Sequence, residues 1–172
     1  MGVRFQVHYL NSTASPLPVQ AAISLTTVDP ATVSKWVAQL YMNRIGLSVP
    51  PGPNQTVTTT CTIPPTFGQI GLIGGVSHMH KWATNFVANT STGVKLYETT
   101  QWDEPVATGY DPPVLLNPGD KITWTCTYNN DSGRTLTFGE SAAINEMCIF
   151  TGRFYSSPTG DDLECQAYGP NN

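Results

Sequence analysis

Asn117-Pro118-Gly119-Asp120, followed by Lys121-Ile122-Thr123-Trp124-Thr125-Cys126-Thr127-Tyr128, decides the fold class. The first four residues are turn chemistry: proline presets φ, and the glycine after it accepts a left-handed conformation. The next eight alternate strictly. Ile122, Trp124, Cys126 and Tyr128 fall on one face, which predicts a half-buried strand. Working outward, Thr56–Ile63 and Ile149–Tyr155 also read as strands, and the apolar run Ile70–Val76 as a buried one. Asn89–Gly93 reads as a hairpin turn with Val94–Tyr97 returning, and Asn129–Gly133 as another turn. Near the start, residues 3–9 alternate with Val3, Phe5, Val7 and Tyr9 on one face. After a turn at Ser15–Pro18, residues 20–28 read as a second strand. In Asp29–Tyr41, helical spacing of Val33, Trp36, Val37, Leu40 and Tyr41 behind Asp29-Pro30 argues for a helix, and a strand stays open. The last dozen residues are polar and read as loop. Strands about ten residues apart, with turns between, predict an all-β, antiparallel sandwich or barrel.

Composition agrees. The 172 residues fit a single domain, and 14 prolines and 15 glycines spread along the chain suit many short strands. Charged residues make up 12%, about half the usual ~25%. A net charge of −4 offers no basic stripe, which argues against nucleic acid. No apolar run approaches the ~18 residues of a membrane helix. No secretory leader is visible, and an opening that already alternates like a strand reads as a mature form or an excised piece. Cys61, Cys126, Cys148 and Cys165 contain no C-x-x-C pair. An even number of dispersed cysteines predicts two disulfides and an oxidising compartment (secreted, periplasmic or a vesicle lumen), with four buried reduced thiols as the open alternative. Sequons at Asn11, Asn54, Asn89 and Asn130 matter only in a glycosylating host.

The chemistry lies in the histidines. The chain has three, and His78 and His80 are one residue apart behind the apolar run. On a strand they share a face, with Met79 opposite, and two imidazoles so placed can grip one metal ion. Zinc would ask for a further His, carboxylate or cysteine, whereas a thioether would favour copper, and spacing does not say which methionine would serve. The bland alternative is a chance pair of surface histidines. Trp82, Phe86 and Phe154 read as core, and Lys81 and Arg153 as solvated cations.

Gly75-Val76-Ser77-His78-Met79-His80-Lys81, with Phe138-Gly139-Glu140 and Asn145-Glu146-Met147-Cys148 some seventy residues later, resembles the copper type II, ascorbate-dependent monooxygenases. The resemblance is to their carboxy-terminal half and covers nearly the whole chain, 1–172, as one domain of jelly-roll-like β-sandwich fold. Gln6-Val7-His8-Tyr9 is similar to a segment ending the family's amino-terminal half, so residues 1–9 would derive from it. Trp36–Pro53 is similar to an apolar strand ending in a Pro-Pro-Gly bend, which favours a strand over the helix. The resemblance implies His78, His80 and Met147 as catalytic ligands of a single copper ion cycling between Cu(I) and Cu(II). It also implies disulfides Cys126–Cys148 and Cys61–Cys165, the first tying the strand of Met147 to its neighbour. His8 matches one ligand of the family's second copper, whose other two form a His-His pair; this chain has none.

By the same resemblance the reaction is hydroxylation of a C–H bond with O2, ascorbate or another external reductant supplying electrons. The partners are O2, a small-molecule substrate and the missing amino-terminal copper domain. Where peptide-amidating members hold a substrate carboxylate, this chain has Val76, Ile149 and Thr151. These offer no cation, so a substrate other than a peptide carboxylate is expected. Two other readings stay open: a non-catalytic secreted protein holding copper at the same site, and a structural sandwich whose His-x-His is incidental.

Overall fold

The computed structural model describes residues 11–155 and 161–169, together with Phe5, Val7 and Tyr9. The chain forms two compact units, residues 1–34 and 35–172. In the first, Asp29 caps a short 3-10 turn, Pro30–Thr32, by accepting the N–H of Ala31 at 2.9 Å. The expected strand over 20–28 is not formed, and its apolar side chains Ile23, Leu25 and Val28 are exposed. Alternation prepares a face but does not create a strand, which exists through hydrogen bonds to a neighbour. Of the expected strand 3–9, Phe5, Val7 and Tyr9 are exposed and outside regular structure. Val3, Arg4, Gln6 and His8 lie outside the described residues.

The second unit carries eleven strands among the described residues. In chain order they are β1 (Val37–Asn43), β2 (Ser48–Val49), β3 (Gly52–Thr62), β4 (Ile70–His78), β5 (Ala83–Thr90), β6 (Lys95–Thr99), β7 (Thr108–Leu116), β8 (Lys121–Asn130), β9 (Leu136–Thr137), β10 (Ile149–Tyr155) and β11 (Leu163–Gln166). One sheet runs β11-β1-β10-β4-β7, a second β3-β8-β5-β6, and β2 pairs with β9. All strand pairs are antiparallel except β1 with β11. The ambiguous segment resolves into the 3-10 turn and then β1, a strand with Ala38, Leu40 and Met42 buried.

The expected alternation of β8 holds: Ile122, Trp124, Cys126 and Tyr128 are fully buried. On its other face, Thr123 and Thr125 hydrogen-bond Thr60 and Thr58 of β3 at 2.8 and 2.9 Å. The two large sheets face each other across one core. Phe86 of β5 stacks on Phe150 of β10, centroids 6.0 Å apart. Gly75 of β4 makes room there, since a Cβ would stand 2.6 Å from the Phe150 ring. Trp82, Phe86 and Phe154 are core residues, as expected.

Both disulfides cross this core. Cys61–Cys165 joins β3 to β11, and Cys126 of β8 pairs with Cys148, just before β10, with Cα atoms 6.2 and 6.0 Å apart. The second bond therefore ties Met147 to the opposite sheet, not to an adjacent strand. The sandwich expected from the sequence is the fold observed, with the short pair β2 and β9 and the longer β7 and β11 unread. β7 contains Pro112 and Pro113, which lack N–H groups but are tolerated because β7 is an edge strand with a register shift. β11 sits in the polar tail that reads as loop, held by parallel pairing to β1. Asn130 is buried and donates its amide to Val49 O and Arg134 O, so that sequon cannot carry a glycan in the fold.

Candidate metal centre

β4 is apolar because it is the second strand from the sheet edge, covered by β10 on one side and β7 on the other. It ends at His78. Met79 turns inward to the core, and His80, beyond the end of the strand, is buried with its ring against that of His78. The two imidazole rings lie edge to face, centroids 5.3 Å apart. Nδ1 of His80 lies 3.0 Å from the carbonyl oxygen of Asn145. A carbonyl only accepts, so Nδ1 carries the proton and Nε2 presents its lone pair. The His78 ring keeps some solvent contact. Surrounding protein still desolvates it enough to lower its pKa, nearby His80 acts the same way, and Glu140 opposes both. Both effects favour the neutral imidazole that a metal requires.

Glu146 brings the third residue in. It has no solvent exposure. One oxygen accepts the N–H of His80 at 2.9 Å and of Met147 at 3.1 Å, and the other accepts Trp82 N–H at 2.8 Å. Burial raises its pKa, while these three hydrogen bonds and His80 pull it down. This carboxylate fastens the segment before β10 onto the end of β4. The Met147 carbonyl accepts from Tyr128 Oη at 2.9 Å, and that of Cys148 from Trp124 Nε1 at 3.2 Å, so the inward face of β8 fixes the other side. Met147 is buried but stands outside the contiguous core that holds Met42 and Met79.

Cross-strand register places the remaining expected residues. Ile149 is paired with His78, and Thr151 with Val76, so all four share the outer face of the five-stranded sheet. A cavity of about 660 Å³ opens on that face, with Val76 and Thr151 in its wall; Ile149 is buried beside His78 and does not line it. Asn43, paired with Ile149, is buried with its Oδ1 unpartnered. Lys81 lies over the Trp82 ring, 4.2 Å from its centroid. His8 lies outside the described residues.

The sequence reading missed Glu146 and Asn145 as supports. Nothing in their spacing marks them, because the partners they hold at the end of β4, His80 and Trp82, lie more than sixty residues away. Two imidazoles and a thioether form a neutral, soft donor set that suits Cu(I). Among the described residues no group of three or more His, Cys, Asp or Glu side chains could hold a metal ion, so a zinc-type set is not offered.

Among known protein families, the model described as copper type II ascorbate-dependent monooxygenase, C-terminal domain, matches residues 38–172. The match covers β1 from its second residue, all of β2 to β11 and both disulfides. No curated protein matches the chain.

Proposed function

The chain belongs to the copper type II ascorbate-dependent monooxygenases, matching their C-terminal domain, and from that premise we propose that it holds one copper ion between His78, His80 and Met147. Its role in this reading is to hydroxylate a C–H bond of a substrate that is not a peptide carboxylate. The observation that carries the reading is the Glu146 clamp, one buried carboxylate oxygen accepting the amides of both His80 and Met147.

Each residue has a part. His80 donates Nδ1–H to Asn145 O and so aims Nε2 at the ion, a support typical of ligating histidines. His78 completes a pair of imidazoles on one side of the chain. Met147 supplies a weak thioether ligand, whose position the scaffold must set; Glu146, Tyr128 and the Cys126–Cys148 bond set it. Bound copper would supply one-electron chemistry toward O2 and the C–H bond, with ascorbate as the family's reductant. Val76 and Thr151 line the cleft near His78 with neutral side chains, Ile149 is buried beside His78, and none of the three gives a carboxylate a cation. Two disulfides suit work in an oxidising or secreted compartment.

Metal analysis after dialysis tests the assignment. The parent should keep one copper per chain and His78→Ala/His80→Ala none; stoichiometric copper in the double variant overturns the assignment. X-ray absorption of the Cu(I) form should show a sulfur scatterer that Met147→Leu removes, at a stability cost below ~1.5 kcal/mol. Ascorbate-driven O2 consumption by the loaded parent supports the enzyme. Copper held without it supports the non-catalytic holder.

A further inference from the structure

The outer face of the five-stranded sheet changes character with distance from His78. Beyond the pairs Ile149–His78 and Thr151–Val76, the next row joins Arg153 to Gly74 on one side and to Gln39 on the other. The cavity of about 660 Å³ runs from the Thr151–Val76 row, next to the His78 row but not lined by it, to the Arg153 row, and Gln39, Gly74, Val76, Thr151, Arg153 and Asp162 lie in its wall. Such a volume suits a small organic molecule (~300–1,000 Å³). Gly74 keeps the floor at backbone level, since a Cβ there would stand 2.9 Å from Thr108 O.

The metal end of this face is neutral and the far end charged. Arg153 is four residues along β10 from Ile149, so its Cα lies about 13 Å from the His78 row. Asp162 accepts the backbone N–H of Gln39 at 2.7 Å, and Gln39 is the register partner of Arg153. A cation and an anion thus line the same end of the cleft. Among the described residues the ion pair is Lys95–Glu98, and neither Arg153 nor Asp162 is engaged in one. An anionic head group drawn to Arg153 meets Asp162, and a cationic one drawn to Asp162 meets Arg153. A neutral head with one acceptor and one donor uses both side chains.

We propose that this cleft binds an elongated, uncharged amphipathic substrate, its apolar end toward His78 and an amide or hydroxyl head between Arg153 and Asp162. The orientation rests on the reading of His78 as a copper ligand; the head-group preference does not.

Octanamide, octanoate and octylamine carry a neutral, an anionic and a cationic head on one chain length, and calorimetric titration of each into the full chain tests the preference. Octanamide should bind at least about tenfold more tightly than either ion, the scale of one misplaced charge. Arg153→Gln should turn the preference toward octylamine and Asp162→Asn toward octanoate, with copper content unchanged. Equal affinities, or preferences indifferent to both substitutions, overturn the proposal. His78→Ala/His80→Ala should leave octanamide binding intact, so failure of the copper assignment is read separately, by metal analysis. In the Cu(II) form, the octanamide methyl resonance should broaden more than the methylene next to the amide, and the reverse order overturns the orientation.

Discussion

Glu146 is the residue on which the candidate site turns, because a fully buried carboxylate is tolerated where its lone pairs are taken up. Three backbone amides take them, from Trp82, His80 and Met147. Glu146→Gln keeps the shape but has one accepting oxygen, and its amide group must face a backbone donor. It should lower stability by roughly 1–3 kcal/mol. It should also weaken copper binding while leaving His78, His80 and Met147 in the chain. Thermal melting and a Cu(I) competition titration check both effects. Lost stability with unchanged copper affinity would reduce Glu146 to a packing role.

At the scale of elements, the end of β4 and the start of β10 meet in register at His78 and Ile149, and the Cys126–Cys148 bond locks β10 to β8 next to Met147. Cys61–Cys165 anchors β11 instead. The two bonds close loops of unequal size, with separations of 22 and 104 residues. Chain entropy makes the longer loop the more stabilising, within the ~2–5 kcal/mol common for native disulfides. Cys61→Ala/Cys165→Ala should therefore cost more stability but leave the copper affinity of the folded protein unchanged. Cys126→Ala/Cys148→Ala should cost less and loosen copper. Denaturant melts paired with copper titrations decide, and the opposite pairing of effects would contradict the site's dependence on β8.

For the whole molecule, metal binding and folding are linked. Copper at a hundred times its dissociation constant should stabilise the fold by about 2.7 kcal/mol, and the His78→Ala/His80→Ala variant should gain none. Acid acts on the metal-free protein in the opposite sense. The pKa of His78 is lower in the fold than in the unfolded chain, first by desolvation and then by His80. As pH falls below about 6.5 the unfolded chain takes up that proton first, so stability is lost in this direction. Melting temperatures from pH 7.5 to 5 should show this slope, flattened in His78→Ala; an unchanged slope would mean that His78 is not the group responsible.

The sequence by itself determined the strands whose partners the local pattern guarantees. β8, β3, the β5–β6 hairpin and β10 were legible because alternation and turn residues are written within ten residues of one another. So was the His-x-His pair, which needs only the period of a strand. Met147 enters only through family resemblance, since spacing does not distinguish it from Met42 or Met79, and its place as a ligand is a proposal. Tertiary structure decided the rest. The segment 20–28 alternates but is not a strand, whereas proline-bearing β7 and polar β11 are strands because β4 and β1 pair with them. The Glu146 clamp, the outer-face alignment of His78, Val76 and Thr151, and the charged end at Arg153 and Asp162 all depend on cross-strand register. Register is a property of two chain segments at once, and neither segment records it alone.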